Sequence, residues 1–98
     1  MSHTPGPWIA SPKRNELDLL EYSIDYNNEN GSGHVATVDA SRGERLEANA
    51  RLIAAAPEML EALRIALSAL SDLVANYPSE AETYNRVESA IAKADGRE

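Results

Sequence analysis

Arginine and amide side chains concentrate in a short stretch near the middle of the chain. Within three turns of a predicted helix lie Arg42, Arg45, Asn49 and Arg51. Guanidinium groups bind phosphates through charge-assisted, bidentate hydrogen bonds, and an amide can read a base or a ribose. The stretch is therefore a candidate site for a phosphate-containing ligand. The alternative is that these arginines pair with Glu44 and Glu47, because such pairs three or four residues apart are common on helices.

Groups that could perform catalysis are sparse. The sequence has no cysteine, which removes thiolate nucleophiles and cysteine-ligated metals. His3 lies in an extended N-terminal arm, and His34 has no partner at metal-ligand spacing, so we interpret His34 as a strand-edge histidine. The neighbouring carboxylates of Glu58 and Glu61 fit the start of a helix, where negative charge is favourable. We expect no catalytic activity, no metal and no cofactor.

The net charge of the chain is −7 at pH 7. This charge opposes the counterion release that drives binding to nucleic-acid backbones, so we expect no DNA or RNA partner. DNA mimicry is a weaker alternative, because the acidic residues are scattered over helix faces instead of forming rows. No apolar run reaches transmembrane length, and the first residues lack the basic start and apolar core of a signal peptide. The sequence predicts a soluble, cytoplasmic protein without a membrane partner.

The first forty residues are typical of a β-meander. Trp8-Ile9 forms an edge segment, and a turn is predicted at residues 11–15. Residues 17–26 form the next strand, because apolar and polar side chains alternate there. Residues 27–33 are rich in asparagine and glycine, which predicts a loop tip, and residues 34–38 return as a third strand. We expect a three-stranded antiparallel sheet that needs a helix against its apolar face.

Helices are predicted to follow the sheet. Ser41 and Glu44 form a capping-box pattern that starts the first helix. Pro57 lacks the amide that would continue this helix, so we expect it to stop and a second helix to restart with Pro57 in its first turn. The predicted inner face of the first helix consists of Leu46, Ala50 and Ile53.

The second helix is the longest and carries two apolar stripes. A single short helix could not cover both stripes, so another part of the fold or another copy of the chain must bury the second one. The first stripe follows steps of three and four residues: Leu60, Leu63, Leu67, Leu70, Val74 and Tyr77. The second stripe consists of Met59, Ala66 and Leu73.

A final helix is predicted from a second capping-box pattern at Ser79 and Glu82, and Gly96 is placed to end it. Because the connection after Tyr77 is short, the last two helices should form an antiparallel hairpin. The predicted fold class is α+β, as a single domain of residues 1–98. A small N-terminal antiparallel β-sheet in residues 1–40 is followed by a C-terminal helical hairpin in residues 41–98, and the fold is oligomeric.

Two stretches resemble a widespread group of small bacteriophage proteins. One is the opening segment His3-Thr4-Pro5-Gly6-Pro7-Trp8, and the other is the segment Asn49-Ala50-Arg51-Leu52-Ile53-Ala54-Ala55-Ala56-Pro57-Glu58-Met59-Leu60-Glu61-Ala62-Leu63. The predicted architecture, a small sheet followed by two long helices, also resembles the Thoeris anti-defence 1 family of phage sponges. Members of that family assemble as multimers and sequester cyclic nucleotide-type immune signals without cleaving them.

The resemblance implies a homo-oligomer, a dimer or a larger assembly such as a hexamer, that acts in the host cytoplasm. It would bind and sequester a cyclic nucleotide or cyclic ADP-ribose-type small molecule. Combined with the residues above, it makes Arg42, Arg45, Asn49 and Arg51 the candidate ligand contacts. The alternative is a phage interaction protein that inhibits a host protein through its acidic helical surface.

Overall fold

A computed structural model describes residues 3–39 and 45–96 of the 98-residue chain. The predicted α+β class is confirmed, because three strands are followed by helices. Internal contacts divide the chain into two compact units: the sheet unit, Thr4–Glu58, and the helical unit, Met59–Glu98 with Met1–His3. The elements are β1 Trp8–Arg14, β2 Leu20–Asn28, β3 Gly31–Asp39, α1 Leu46–Ala54, α2 Ala56–Asn76, a 3-10 turn Pro78–Glu80, and α3 Ala81–Asp95.

The three strands form an antiparallel sheet in the order β1-β2-β3, which confirms the predicted meander. Ile24 lies in the central strand and is 0% exposed. Its ladder neighbours are Ala10 of β1 and Ala36 of β3. Because side chains alternate between the faces of a strand, Ile24 and its neighbours Tyr22 and Tyr26 share the apolar face.

The predicted turn at residues 11–15 is wrong, since β1 continues through Pro12 to Arg14. A proline is tolerated in an edge strand, where its missing amide need not join a ladder. The chain turns later, around Asn15, whose side-chain Oδ1 accepts hydrogen bonds from the amides of Leu17 (2.8 Å) and Leu19 (3.1 Å). The second strand therefore begins at Leu20, three residues after its predicted start.

The hairpin between β2 and β3 is tighter than predicted. The strands extend through the asparagines and glycines expected in the loop, so that only Glu29 and Asn30 form the turn. The amide of Asn30 donates to Asn28 Oδ1 at 2.9 Å, and Gly31 has a φ of 131°. Backbone ladder bonds do not depend on side-chain polarity, which explains why composition overestimated the loop.

Helix α1 packs on all three strands of the sheet. Its predicted inner face is confirmed at Leu46, which is 6% exposed, and at Ala50, which is 0% exposed. The predicted capping box at Ser41 and Glu44 lies outside the described residues. Leu46 and Ala50 supply the cover that the apolar face of a three-stranded sheet requires.

Pro57 is the second residue of α2, and Ala55 lies between α1 and α2. The predicted helix restart is therefore confirmed, since proline in a first turn loses no intrahelical hydrogen bond. A Cβ built on Gly6 would lie 2.9 Å from Pro57 Cβ. A side chain at position 6 would thus clash with the proline ring, so glycine permits this close approach within the sheet unit.

In the helical unit, the buried hydrophobic side chains among the described residues are Leu60 of α2 and Ile91 of α3. Arg64 Nη2 lies 2.7 Å from Asp95 Oδ1, which joins α2 to the last turn of α3. The antiparallel hairpin itself stays a prediction. The capping box predicted at Ser79 is wrong, because the 3-10 turn precedes α3 and the N-cap, Glu80, makes no side-chain capping bond.

The end of α3 follows its prediction, with Gly96 in the left-handed conformation at φ 73°. Glycine is favoured there because it has no Cβ to oppose a positive φ. Within the described ranges, no helix combines the length and apolar character needed to cross a bilayer.

Candidate functional site

The start of α1 presents two of the predicted ligand residues on one face. Arg45 is the N-cap, and its carbonyl accepts a hydrogen bond from the Asn49 amide at 2.8 Å. Both residues are exposed. Residues four apart are neighbours on a helix surface, so the guanidinium of Arg45 and the amide of Asn49 can reach one ligand together.

Arg51 is held differently. It forms an i,i+4 ion pair with Glu47, the alternative that the sequence left open. A helix rotates by about 100° per residue, so Arg51 lies about 200° around α1 from Asn49. Arg45 and Asn49 therefore lie on one face of α1, and Arg51 lies on another. Arg42 lies outside the described residues.

The N-terminus of α1 adds backbone donors to this surface. The first amides of a helix have no intrahelical partner, and the Arg45 side chain makes no capping bond to them. Within residues 3–39 and 45–96, no ion pair or side-chain hydrogen bond engages the Arg45 guanidinium. Amides at a helix start attract anions, and an arginine beside them adds a full positive charge. Glu47, in the same turn, opposes an anion.

A second polar group, the polar quartet, consists of Ser23, Asp25, His34 and Thr37. His34 Nδ1 lies 3.0 Å from Asp25 Oδ1 and 3.1 Å from Ser23 Oγ, while His34 Nε2 lies 3.0 Å from Thr37 Oγ1. Ser23 Oγ also donates to Asp25 Oδ2 at 2.9 Å. Ser23 is buried, and the quartet occupies the sheet face opposite Ile24.

A β-bulge assembles this quartet. Ile24 pairs with Ala36, whereas the next residue, Asp25, pairs with His34, so Val35 is an extra residue in β3. Without the bulge, His34 and Thr37 would point to opposite faces, because their separation is odd. The quartet could not be predicted from the sequence for this reason, since no signal in the sequence marks the bulge.

Thr37, His34 and Asp25 follow one another in the order of the nucleophile, base and acid of a catalytic triad. With the proton on Nδ1, His34 donates to Asp25, and its Nε2 accepts from the Thr37 hydroxyl. Ser23 lies on the Nδ1 side, which is the wrong nitrogen for a serine nucleophile. The hydrogen bond from His34, followed by that from Ser23, holds the pKa of the Asp25 carboxyl below its ordinary value of 3.8. The carboxylate thus stays charged and orients the imidazole ring.

This arrangement predicts acid sensitivity that depends on Asp25. A lowered folded-state pKa adds stability above the unfolded-state pKa, and this stability is lost as the pH falls through the folded-state pKa. We expect Asp25→Asn to be less stable than the wild type at neutral pH, with the difference narrowing below about pH 4. Urea unfolding midpoints across this range measure it.

The matched control is Asp72→Asn, at an exposed aspartate of α2 with no ion pair among the described residues. It should change the unfolding midpoint little at any pH. If the Asp25→Asn deficit kept the same size from neutral to acidic pH, the carboxylate would not be the source of the stability.

An open depression of about 500 Å³ lies at the β1–β2 turn. Its two cations are already paired: Lys13 Nζ lies 3.6 Å from Glu21 Oε1, and Arg14 Nε lies 3.9 Å from Asp18 Oδ1. Its lining includes no residue of α1. The Arg45–Asn49 surface is therefore a better candidate ligand site than this depression.

Comparisons with known proteins support a phage origin. No curated protein matches the chain, and no solved structure matches it either. One protein family does match, over residues 1–98, and it is described as Salmonella phage P22 protein Y8K6. The predicted resemblance to small phage proteins is thereby confirmed, and the chain belongs to this family.

Proposed function

We propose that this phage protein binds and sequesters a cyclic nucleotide or cyclic ADP-ribose-type immune signal in the host cytoplasm without cleaving it. The observation that carries the proposal is the exposed pair of Arg45 and Asn49 at the start of α1. Arg45 supplies the charge for a phosphate beside the first amides of α1. Asn49, one turn further, supplies a donor and an acceptor for a base or ribose.

The other predicted contacts take lesser roles. Arg51 can bind the ligand only if its ion pair with Glu47 breaks. Such an exposed ion pair is worth only about 0.2–1 kcal/mol. Arg42 stays a candidate contact. A sequestering protein has no turnover, so it needs nanomolar affinity, about −12 kcal/mol. One surface pair is too little for that, and we propose that copies of the chain complete the site as a homo-oligomer.

The test is a thermal-melting screen against cyclic dinucleotides, cyclic trinucleotides and cyclic ADP-ribose isomers. At a thousandfold excess over the dissociation constant, ligand should stabilise the fold by about 4 kcal/mol. Arg45→Ala and Asn49→Ala should lower the affinity, because both remove contacts.

Arg86→Ala is the matched control. Arg86 is an exposed helical arginine whose Nη2 lies 2.9 Å from Glu82 Oε1, an i,i+4 pair of the same kind as Arg51 with Glu47. It should leave the melting shift unchanged. If no tested compound shifts the melting curve, the proposed function is wrong. If Arg45→Ala binds a compound as well as the wild type does, the proposed site is wrong.

Recovery of the ligand distinguishes sequestration from catalysis. After heat release, mass spectrometry should find the signal intact. If fragments appear and His34→Ala abolishes them, the polar quartet is catalytic and the protein is an enzyme.

The alternative, inhibition of a host protein, is favoured by one observation on the helical unit. Acidic side chains outnumber basic ones in residues 59–96, and exposed apolar residues lie among them, with Ile65 65% and Met59 48% exposed. A host protein recovered from lysate after nuclease treatment and removal of small molecules would support this function. Charge reversal at Glu61 and Asp72 should then reduce the recovery.

A further inference from the structure

The polar quartet lies on the face of the sheet that is turned away from Ile24 and its apolar neighbours. Two of its side chains are about half exposed, at 51% for His34 and 45% for Asp25. Thr37 is exposed as well and lies in β3, an outer strand of the described sheet. A small molecule in solution can therefore reach the Thr37 hydroxyl.

The hydrogen bonds of the quartet determine which nitrogen of the neutral His34 ring carries the proton. Asp25 Oδ1 lies 3.0 Å from His34 Nδ1, and an ionised carboxylate can only accept hydrogen bonds, so the proton is on Nδ1. Nε2 then has a free lone pair, and the Thr37 hydroxyl, 3.0 Å away, donates to it. A hydroxyl bonded to a base that a third group orients is the arrangement of an activated nucleophile.

Ser23 and the β-bulge hold this arrangement in place. Ser23 is 8% exposed, and its Oγ lies 3.0 Å and 2.9 Å from the two carboxylate oxygens of Asp25. The extra residue Val35 brings His34 and Thr37 to the same face of the sheet. Bulges commonly re-aim side chains beside active sites, and sites on strands are more precise than sites on loops. The Thr37 hydroxyl and its base are thus positioned before any reactant arrives.

We propose that Thr37 is a site of covalent acylation by small activated acyl donors, with His34 as the general base. Thr37 Oγ1 attacks the acyl carbon while its proton passes to His34 Nε2. The bond between the acyl carbon and the leaving group breaks, and the leaving group takes the proton from Nε2. The products are an ester of Thr37 and the protonated leaving group. Asp25 stays ionised throughout and orients the imidazole ring.

The open position of the quartet selects the kind of donor. Binding sites that hold a small substrate tightly are concave and bury most of its surface, whereas this group lies on a half-exposed sheet face. Only a donor with a good leaving group reacts without such enclosure. The charge of Asp25 beside the base disfavours an anionic donor. The donor class is therefore an uncharged acyl group on a good leaving group, such as a thioester or an activated ester.

Acetylation by p-nitrophenyl acetate, quenched in acid and mapped by peptide mass spectrometry, tests this site. Thr83 is the internal control, because it is an exposed threonine of α3 with no histidine within four residues. General base catalysis contributes about 10²–10⁴-fold, so Thr37 should be acetylated at least about 100-fold faster than Thr83. An uncharged acetyl thioester should show the same preference. In urea the preference should vanish, because unfolding removes the hydrogen bond between Thr37 and His34.

Two variants separate the base from the nucleophile. His34→Gln keeps a hydrogen-bonding side chain without a base, and it should lower the ratio of Thr37 to Thr83 acetylation about 100-fold. Thr37→Ser keeps the hydroxyl and should still be acetylated at residue 37. The urea comparison uses the wild type alone, so it decides the question even if His34→Gln does not fold.

Three results would overturn the assignment of Thr37. The first is equal acetylation of Thr37 and Thr83 in the folded wild type. The second is a His34→Gln variant that keeps the wild-type ratio, and the third is a preference that persists in urea. None of these measurements depends on the proposed binding of a signal at α1, so either proposal can fail while the other stands.

Discussion

Replacing Ile24 by alanine is expected to lower the free energy of unfolding of the sheet unit by about 2–5 kcal/mol. Ile24 is 0% exposed and occupies the centre of the middle strand. Among the described residues it is the largest side chain that is fully buried. Small domains have only about 5–15 kcal/mol of stability in total, so this loss is a large part of it.

The upper half of that range is expected because the surroundings of Ile24 cannot close a cavity. Its two ladder neighbours, Ala10 and Ala36, are too small to fill the space. The cost of a large-to-small substitution rises with the volume that stays empty.

Urea unfolding followed by the fluorescence of Trp8, the single tryptophan, measures this loss in the sheet unit. Ile9→Ala is the matched control, since Ile9 is also in a strand but is 52% exposed. It should cost less than about 1 kcal/mol. Equal costs at the two positions would mean that Ile24 does not form the centre of the core.

The second large effect is expected for Ile91→Ala in α3. Ile91 is 2% exposed, and Leu60 is the other buried hydrophobic residue of the described helical unit. Removing one of two such side chains should cost about 2–5 kcal/mol. Loss of helical circular dichroism on heating measures it. Ile65→Ala, at a 65% exposed isoleucine of α2, is the control and should cost less than about 1 kcal/mol.

The two variants together test whether the chain is a single domain. If it unfolds as one, Ile24→Ala and Ile91→Ala should each shift both the tryptophan and the helical transition. If the sheet unit and the helical unit unfold separately, each variant should shift only its own signal. The single-domain prediction for residues 1–98 then fails.

Local chemistry made several elements predictable from the sequence. The alternation at Tyr22, Ile24 and Tyr26 predicted a half-buried strand, because a two-residue period needs no knowledge of the rest of the fold. Pro57 predicted a helix restart for the same reason, since its missing amide acts within one turn. Gly96 likewise predicted the end of α3.

The predictions failed where the local conformation depends on structure around the segment and not on its own residue types. Pro12 indicates a turn by composition, but an edge strand accommodates it, and only the sheet order shows that β1 is an edge. Ser79 is a residue type favoured at N-caps, yet it lies inside the 3-10 turn that begins at Pro78 and does not cap α3.

The candidate sites show the same division. The ion pair of Arg51 with Glu47 follows from helical spacing alone, and the sequence offered it as an alternative. The polar quartet could not be foreseen, because it depends on one extra residue in β3, Val35. The roles of Arg45 and Asn49 in ligand binding stay predictions, since they depend on a ligand that sequence patterns do not identify.

Within the described residues the sheet ends at β1 and β3, and each of these strands carries a feature that limits strand addition. β1 contains Pro12, which has no amide to donate, followed by the charged Lys13, and β3 contains the irregularity at Val35. Unprotected edges allow molecules to join strand by strand without limit, which leads to fibres. The edges of this sheet are poor templates for such open-ended growth.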